Sequence, residues 1–451
     1  MTHPAFLDHL PRFAFFTGKG GVGKTSAACA TALALADRGE SVLLVSTDPA
    51  SNIGQVFGQQ IGNQITTLTT APGIDALEID PEAAAAAYRE SIIDPVRGLL
   101  PEREIRMMTE QLSGSCTTEI ASFNEFADLI ADPDRTSGYD HVLFDTAPTG
   151  HTIRLLELPG DWSRFIDEGR GDASCLGPMA GLESRRTVYH ATVDALCDPA
   201  STVLVLVARA QHSAIREAER TSRELTALGM GNQQLLINAL MPDLDGDPLV
   251  TAIHNQEHGE LAALPSRLAH LPRTTTTLHA HNVVGVDRLR EFFAITPGDP
   301  LQPAGPAREP AGGFPPLSSL VDQLAAQTHG LFMTLGKGGV GKTTVATAIA
   351  VALAERGRDV LLTTTDPAGN LTDTLNGTVA NLTIAKIDPD QALREYQDEV
   401  LATRGKRLDA TGRAQLMEDL QSPCTQEVAV FRKFSEAIRE ARDRIVVIDT
   451  A

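Results

Sequence analysis

Gly18-Lys19-Gly20-Gly21-Val22-Gly23-Lys24-Thr25 is the stretch that decides the fold. It returns 318 positions later as Gly336-Lys337-Gly338-Gly339-Val340-Gly341-Lys342-Thr343. Each copy satisfies G-x-x-x-x-G-K-[ST], the pattern of a phosphate-binding loop, with an additional lysine in second place. Phe13-Ala14-Phe15-Phe16-Thr17 and Leu331-Phe332-Met333-Thr334-Leu335 lead into the loops as short apolar runs suited to buried strands. Ala-rich stretches, 26–38 and 344–356, follow and stop at Gly39 and Gly357, residues suited to a helix C-terminus. A second apolar run closes each unit, Val42-Leu43-Leu44-Val45-Ser46 and Val360-Leu361-Leu362-Thr363-Thr364. Strand, loop, helix and strand make a right-handed βαβ unit. The expected fold is α/β: two tandem P-loop domains with mostly parallel, doubly wound sheets related by a pseudo-twofold axis.

The repeat runs further. Thr47-Asp48-Pro49-Ala50 matches Thr365-Asp366-Pro367-Ala368, and Cys116-Thr117-Thr118-Glu119 matches Cys424-Thr425-Gln426-Glu427. Asp145-Thr146-Ala147 is echoed by Asp449-Thr450-Ala451. Matching blocks in one order point to duplication of a whole domain. The first domain is placed at 1–297 and the second at 319–451. Between them, 298–318 is rich in Pro, Gly and Ala and suits a semi-stiff tether. The second copy has no counterpart of Pro148 to about Val286, so it is expected to be an incomplete domain with an exposed sheet edge.

The loops define the chemistry. Backbone N–H groups of Gly20, Gly21, Val22, Gly23, Lys24, Thr25 and Ser26 should cradle phosphate oxygens at the helix N-terminus. Gly338, Gly339, Val340, Gly341, Lys342, Thr343 and Thr344 should do the same in the second copy. Lys24 and Lys342 are placed to reach the outer phosphates, and Thr25 and Thr343 to hold Mg²⁺. Asp48 and Asp366 follow the C-terminal end of a strand, where a carboxylate can orient or deprotonate an attacking water or help hold the metal. Asp145 and Asp449 end another apolar strand and suit a water-mediated Mg²⁺ contact; elsewhere such an Asp is often only a helix cap. Lys19 and Lys337 read either as solvated surface lysines or as cations crossing to the nucleotide of the other half, as an arginine finger does.

Composition sets the class. With 451 residues, 42% hydrophobic and 21% charged, the chain suits two or three soluble domains. Aromatics at 4% and a net charge of −20 argue against nucleic acid, whose phosphates would be repelled. No apolar run approaches the roughly 20 residues of a membrane span. Met1-Thr2-His3-Pro4 does not open a secretion signal, so a cytoplasmic location is expected. The five cysteines then read as thiols. Cys29 and Cys197 read as structural. Cys116, Cys175 and Cys424 stand in polar surroundings, and thiolates meeting between facing halves would select a soft ion.

The paired loops, Thr47-Asp48-Pro49-Ala50-Ser51-Asn52, Asp145-Thr146-Ala147-Pro148-Thr149-Gly150-His151-Thr152 and Cys175-Leu176-Gly177-Pro178-Met179 resemble the arsenite-transport ATPase family over nearly the whole chain. The resemblance implies ATP hydrolysis coupled to As(III) or Sb(III), held by Cys116, Cys175 and Cys424 and associated with His151. It implies a membrane-embedded arsenite carrier as partner, peripheral membrane attachment through that carrier, and delivery of the metalloid by a small metallochaperone. It also carries an adenine contact onto Asn238. The alternative is an ATP-driven targeting factor for tail-anchored membrane proteins, from the sister branch. That branch joins single halves with a C-x-x-C clasp and uses a Met-rich groove; here the halves are fused, C-x-x-C is absent and Met totals 8.

Overall fold

The computed structural model describes residues 4–48, 53–113, 115–146, 185–242, 247–294, 315–336, 340–364, 378–403 and 423–450, with scattered positions between 406 and 420. The chain divides into two compact units, Met1–Pro306 and Ala307–Ala451. The division falls inside the predicted tether. A helix, Leu317–Ala325, takes up the last two residues of that tether.

Among the described residues the first unit holds eight strands: β1 (Phe13–Thr17), β2 (Val42–Ser46), β3 (Thr66–Thr67), β4 (Ile74–Glu78), β5 (His141–Asp145), β6 (Thr202–Ala208), β7 (Gln233–Leu240) and β8 (Arg273–Thr277). Their order in the sheet is β3-β4-β2-β5-β1-β6-β7-β8, parallel throughout except for β3 against β4. Every residue of β1, β2, β5 and β6 is buried, which is why these strands read as unbroken apolar runs rather than alternating ones. Side chains still divide between the faces. Phe13, Phe15, Val142 and Phe144 pack with the helix Ser115–Ala131, and Phe15 and Phe144 stack at 4.5 Å. Ala14, Phe16, Leu143 and Leu44 pack on the other face with the loop helix Lys24–Ala36. That helix presents Ala27, Ala28, Ala30, Ala32 and Ala34, small enough to bring its axis close beneath the sheet.

The second unit holds β9 (Gly330–Thr334), β10 (Val360–Thr364), β11 (Leu382–Lys386) and β12 (Ile445–Asp449), in the order β11-β10-β12-β9. This is the arrangement β4-β2-β5-β1 of the first unit, and the registers agree residue for residue. Ser46 is level with Glu78 and Asp145; Thr364 is level with Lys386 and Asp449. Asp80 caps the helix Pro81–Ile93 by accepting from Glu82 and Ala83 N–H, and Asp388 caps Pro389–Thr403 through Asp390 and Gln391. Duplication is therefore a property of the fold as well as of the sequence. Among the described residues β9 pairs with β12 alone, and Leu331 and Met333 on it are 37% and 43% exposed.

Candidate active site

The first loop springs from the C-terminal end of β1 and closes on the helix Lys24–Ala36. Gly23, at the helix N-cap, has φ +96°, a conformation that glycine adopts at little cost. A Cβ there would stand 2.1 Å from Asn238 Nδ2. Gly18 is pressed just as closely on β6, where a Cβ would lie 2.1 Å from the Val207 carbonyl oxygen. These two glycines answer to neighbours that arrive from the far half of the domain.

Lys24 is buried, and its Nζ reaches back to the Lys19 carbonyl at 3.4 Å, across the concavity that the loop encloses. Burial lowers its pKa, opposed by the charges of Asp145 and Asp48. Thr25 Oγ1 donates to Asp145 Oδ2 at 2.7 Å. Asp145 is fully buried at the end of β5, and desolvation raises its carboxyl pKa to about 7, against the lowering effects of the Thr25 bond and the Lys24 charge. Its Oδ1 has no hydrogen-bond partner among the described residues. An unpartnered buried carboxylate oxygen beside a threonine hydroxyl and a phosphate cradle fits a magnesium site. Asp48 stands just past β2, its N–H on Ser46 Oγ at 3.2 Å, while Thr47 N–H donates to the Asp145 carbonyl at 3.0 Å. The two carboxylate-bearing strand ends are thereby tied together. Lys19 is exposed.

Asn238 reaches the loop by an irregularity in the sheet. Ile237 is level with Thr275 and Leu240 with Thr277, so Asn238 and Ala239 together oppose Thr276 alone. Such a bulge re-aims a side chain. Ala239 takes φ +58° within it. Asn238 Nδ2 donates to the Val22 carbonyl at 2.7 Å, and Thr276 Oγ1 donates to Asn238 Oδ1 at 2.6 Å. The first loop is thus gripped from beneath by a strand more than 200 residues downstream.

The second loop repeats the chemistry. Gly341 has φ +92°, and Lys342 Nζ lies 2.8 Å from the Gly336 carbonyl. Thr343 Oγ1 donates to Asp449 Oδ2 at 2.8 Å, and Thr364 Oγ1 approaches the same oxygen at 3.4 Å. Thr450 Oγ1 donates to the Thr334 carbonyl at 2.7 Å, as Thr146 Oγ1 does to Phe16 at 2.8 Å. A Cβ on Gly341 would meet nothing within 4 Å among the described residues.

Of the residues singled out in the sequence, the structure gathers Lys24, Thr25, Asp48, Asp145 and Asn238 around the first loop, and Lys342, Thr343 and Asp449 around the second. Lys337, Gly338, Gly339, Asp366, His151 and Cys175 lie outside the described residues. Cys116 and Cys424 each occupy the second position of a helix, Ser115–Ala131 and Pro423–Glu440, so the backbone places them equivalently in the two units. Cys29 is buried in the loop helix, where burial pushes its thiol well up, consistent with a core residue. Thr276 escaped the sequence reading. It sits in a run of four threonines, and nothing local distinguishes one from the next.

A family model described as anion-transporting ATPase matches residues 11–297 and 329–451. An arsenical pump-driving ATPase of Escherichia coli is 54% identical over 99% of this chain and 77% of its own length. One of Acidiphilium multivorum is 53% identical over 99% of this chain and 76% of its own. The ATPase GET3 of Mycosarcoma maydis is 30% identical over 63% of this chain and 91% of its own length.

Proposed function

The chain belongs to the anion-transporting ATPase family, and on that premise we propose that it hydrolyses ATP to energise arsenite or antimonite efflux through a membrane carrier. The observation that carries the reading is the doubled cradle. Both units pair a loop threonine with a strand-end aspartate at matching register, 2.7 Å in one and 2.8 Å in the other. Likeness to the arsenical pump-driving ATPases extends over 99% of the chain at 54% identity, whereas the GET3 likeness is 30% over 63%, and this favours the pump over a targeting factor.

In this reading the backbone N–H groups from Gly20 to Ser26 receive the phosphate oxygens, and Lys24 supplies the balancing charge. Thr25 and Asp145 hold Mg²⁺, which when bound neutralises charge on the phosphates. Asp48 orients the attacking water from beside Ser46. Asn238 meets the adenine with the N–H and the lone pair that its bonds to Val22 and Thr276 leave over. Lys19 and its repeat partner Lys337 serve as the crossing cations, and Asp366 and Asp449 complete the second site. Cys116, Cys175 and Cys424, with His151, bind the metalloid; three thiolates suit a soft thiophilic ion.

No helix among the described residues is long and apolar enough to cross a membrane. The partner we propose, from the likeness to the arsenical pump-driving ATPases, is a membrane carrier that this chain meets from the cytoplasm, with a metallochaperone delivering the metalloid. The test is ATP turnover of the full chain titrated with arsenite and with antimonite. Saturable stimulation by either is expected, and a flat response to both would reject the coupling.

A further inference from the structure

The bulge at Asn238–Ala239 assigns a task to a residue that no motif marks. We propose that Thr276 is a positioning residue for the first phosphate loop, acting through Asn238. The inference deepens the nucleotide reading above and rests on it.

The hydrogen bonds around Thr276 allow one arrangement only. The Val22 carbonyl can only accept, so the amide end facing it at 2.7 Å must be Nδ2. The other end, Oδ1, then faces Thr276 and needs a donor, which the Thr276 hydroxyl supplies at 2.6 Å. The same hydroxyl oxygen accepts the Ala239 N–H at 3.0 Å. That N–H belongs to the extra residue of the bulge, so the regular strand pairing leaves it without a ladder partner. One hydroxyl thus partners the N–H that the bulge frees and holds the oxygen end of the amide whose nitrogen end grips the loop. Thr276 is 1% exposed and Asn238 8%, so water is a poor substitute for either bond.

The route to the phosphates is short. Val22 is the loop residue before Gly23, and Gly23 is the N-cap of the helix whose N-terminus is placed to receive phosphate. A Cβ on Gly23 would lie 2.1 Å from Asn238 Nδ2, so the amide is packed against the loop as well as bonded to it. If Asn238 swings away, the Val22 carbonyl loses its anchor and the N–H groups of the next residues lose their aim. The contribution therefore concerns the phosphate cradle, and only secondarily the base.

The distinction gives the experiment. Inorganic triphosphate has phosphates and no base. The full chain carrying Lys342→Ala, which disables the second cradle, is titrated calorimetrically with ATP and with inorganic triphosphate. Adding Thr276→Val should weaken both ligands by a similar factor, about five- to tenfold for the loss of one or two neutral hydrogen bonds. Thr276→Ala, which removes the hydroxyl without adding bulk, should do the same, and Thr276→Ser should restore both affinities. Unchanged triphosphate affinity in the Val and Ala variants would overturn the proposal, whether or not ATP binding weakens. So would a Ser variant as weak as the Ala variant. If the parent bound neither ligand, the nucleotide reading itself would fall, and this inference with it.

Discussion

Thr25 Oγ1 and Asp145 Oδ2 lie 2.7 Å apart, joining the first turn of the loop helix to the end of β5 across 120 residues of sequence. Asp145 is fully buried, and burial lifts its carboxyl from the ordinary 3.8 to about 7. As pH rises, the unfolded chain releases this proton first. Without ligand, the site's contribution to stability is therefore present below about pH 4 and is lost as pH rises to about 7.

Magnesium with nucleotide selects the ionised carboxylate. Binding near pH 6 should therefore release roughly one proton from Asp145, and should tighten as pH rises through about 7. Calorimetry in buffers of different ionisation enthalpy counts that proton. Asp145→Asn should remove it; an unchanged count would show that another group titrates.

Lys24 is buried among Asp145 and Asp48 and bonded to the Lys19 carbonyl, so it is held before phosphate arrives. Lys24→Ala should weaken ATP at the first site by roughly 10- to 100-fold, the range for a hydrogen bond to a charged group. Direct titration checks this. Undiminished affinity would remove Lys24 from the cradle.

The two loops share a sequence, but among the described residues their glycines meet different neighbours. Gly23→Ala drives a Cβ to 2.1 Å from Asn238 Nδ2 at φ +96°, whereas Gly341→Ala meets only the cost of φ +92° among the described residues. Gly23→Ala should cost about 2–4 kcal/mol and Gly341→Ala about 1–2 kcal/mol, compared by denaturant unfolding. Equal costs would mean that the contact beneath the first loop is absent in solution.

Cys116 and Cys424 hold equivalent positions at the starts of their helices. Under the proposed metalloid role, Cys116→Ser should bring the ratio of arsenite-stimulated to basal ATP turnover down to about one, since a hydroxyl is a poor ligand for a soft ion. A ratio equal to that of the parent would refute the thiol assignment.

Much of this was legible in the residues themselves. The glycines and lysines of each loop, the apolar runs on either side and the strand-end aspartates are local patterns, and β1, β2, β5 and β12 appear within a residue of where those patterns placed them. Matching blocks in one order, at offsets of 318, 308 and 304 residues, point to two domains from the sequence alone. Strand order within each sheet was not legible, because parallel neighbours are joined through crossovers and pair with segments far away in sequence.

What the chain determined by itself was the kind of chemistry: a doubled phosphate cradle, with threonine and aspartate beside each. Folding alone decided how the first cradle is held and tuned. Asn238 lies beneath Val22 only because a bulge between β7 and β8 turns it there, and Asp145 binds its proton tightly only because surrounding strands exclude water. Register and desolvation belong to packed neighbours, and no local pattern of residues encodes them.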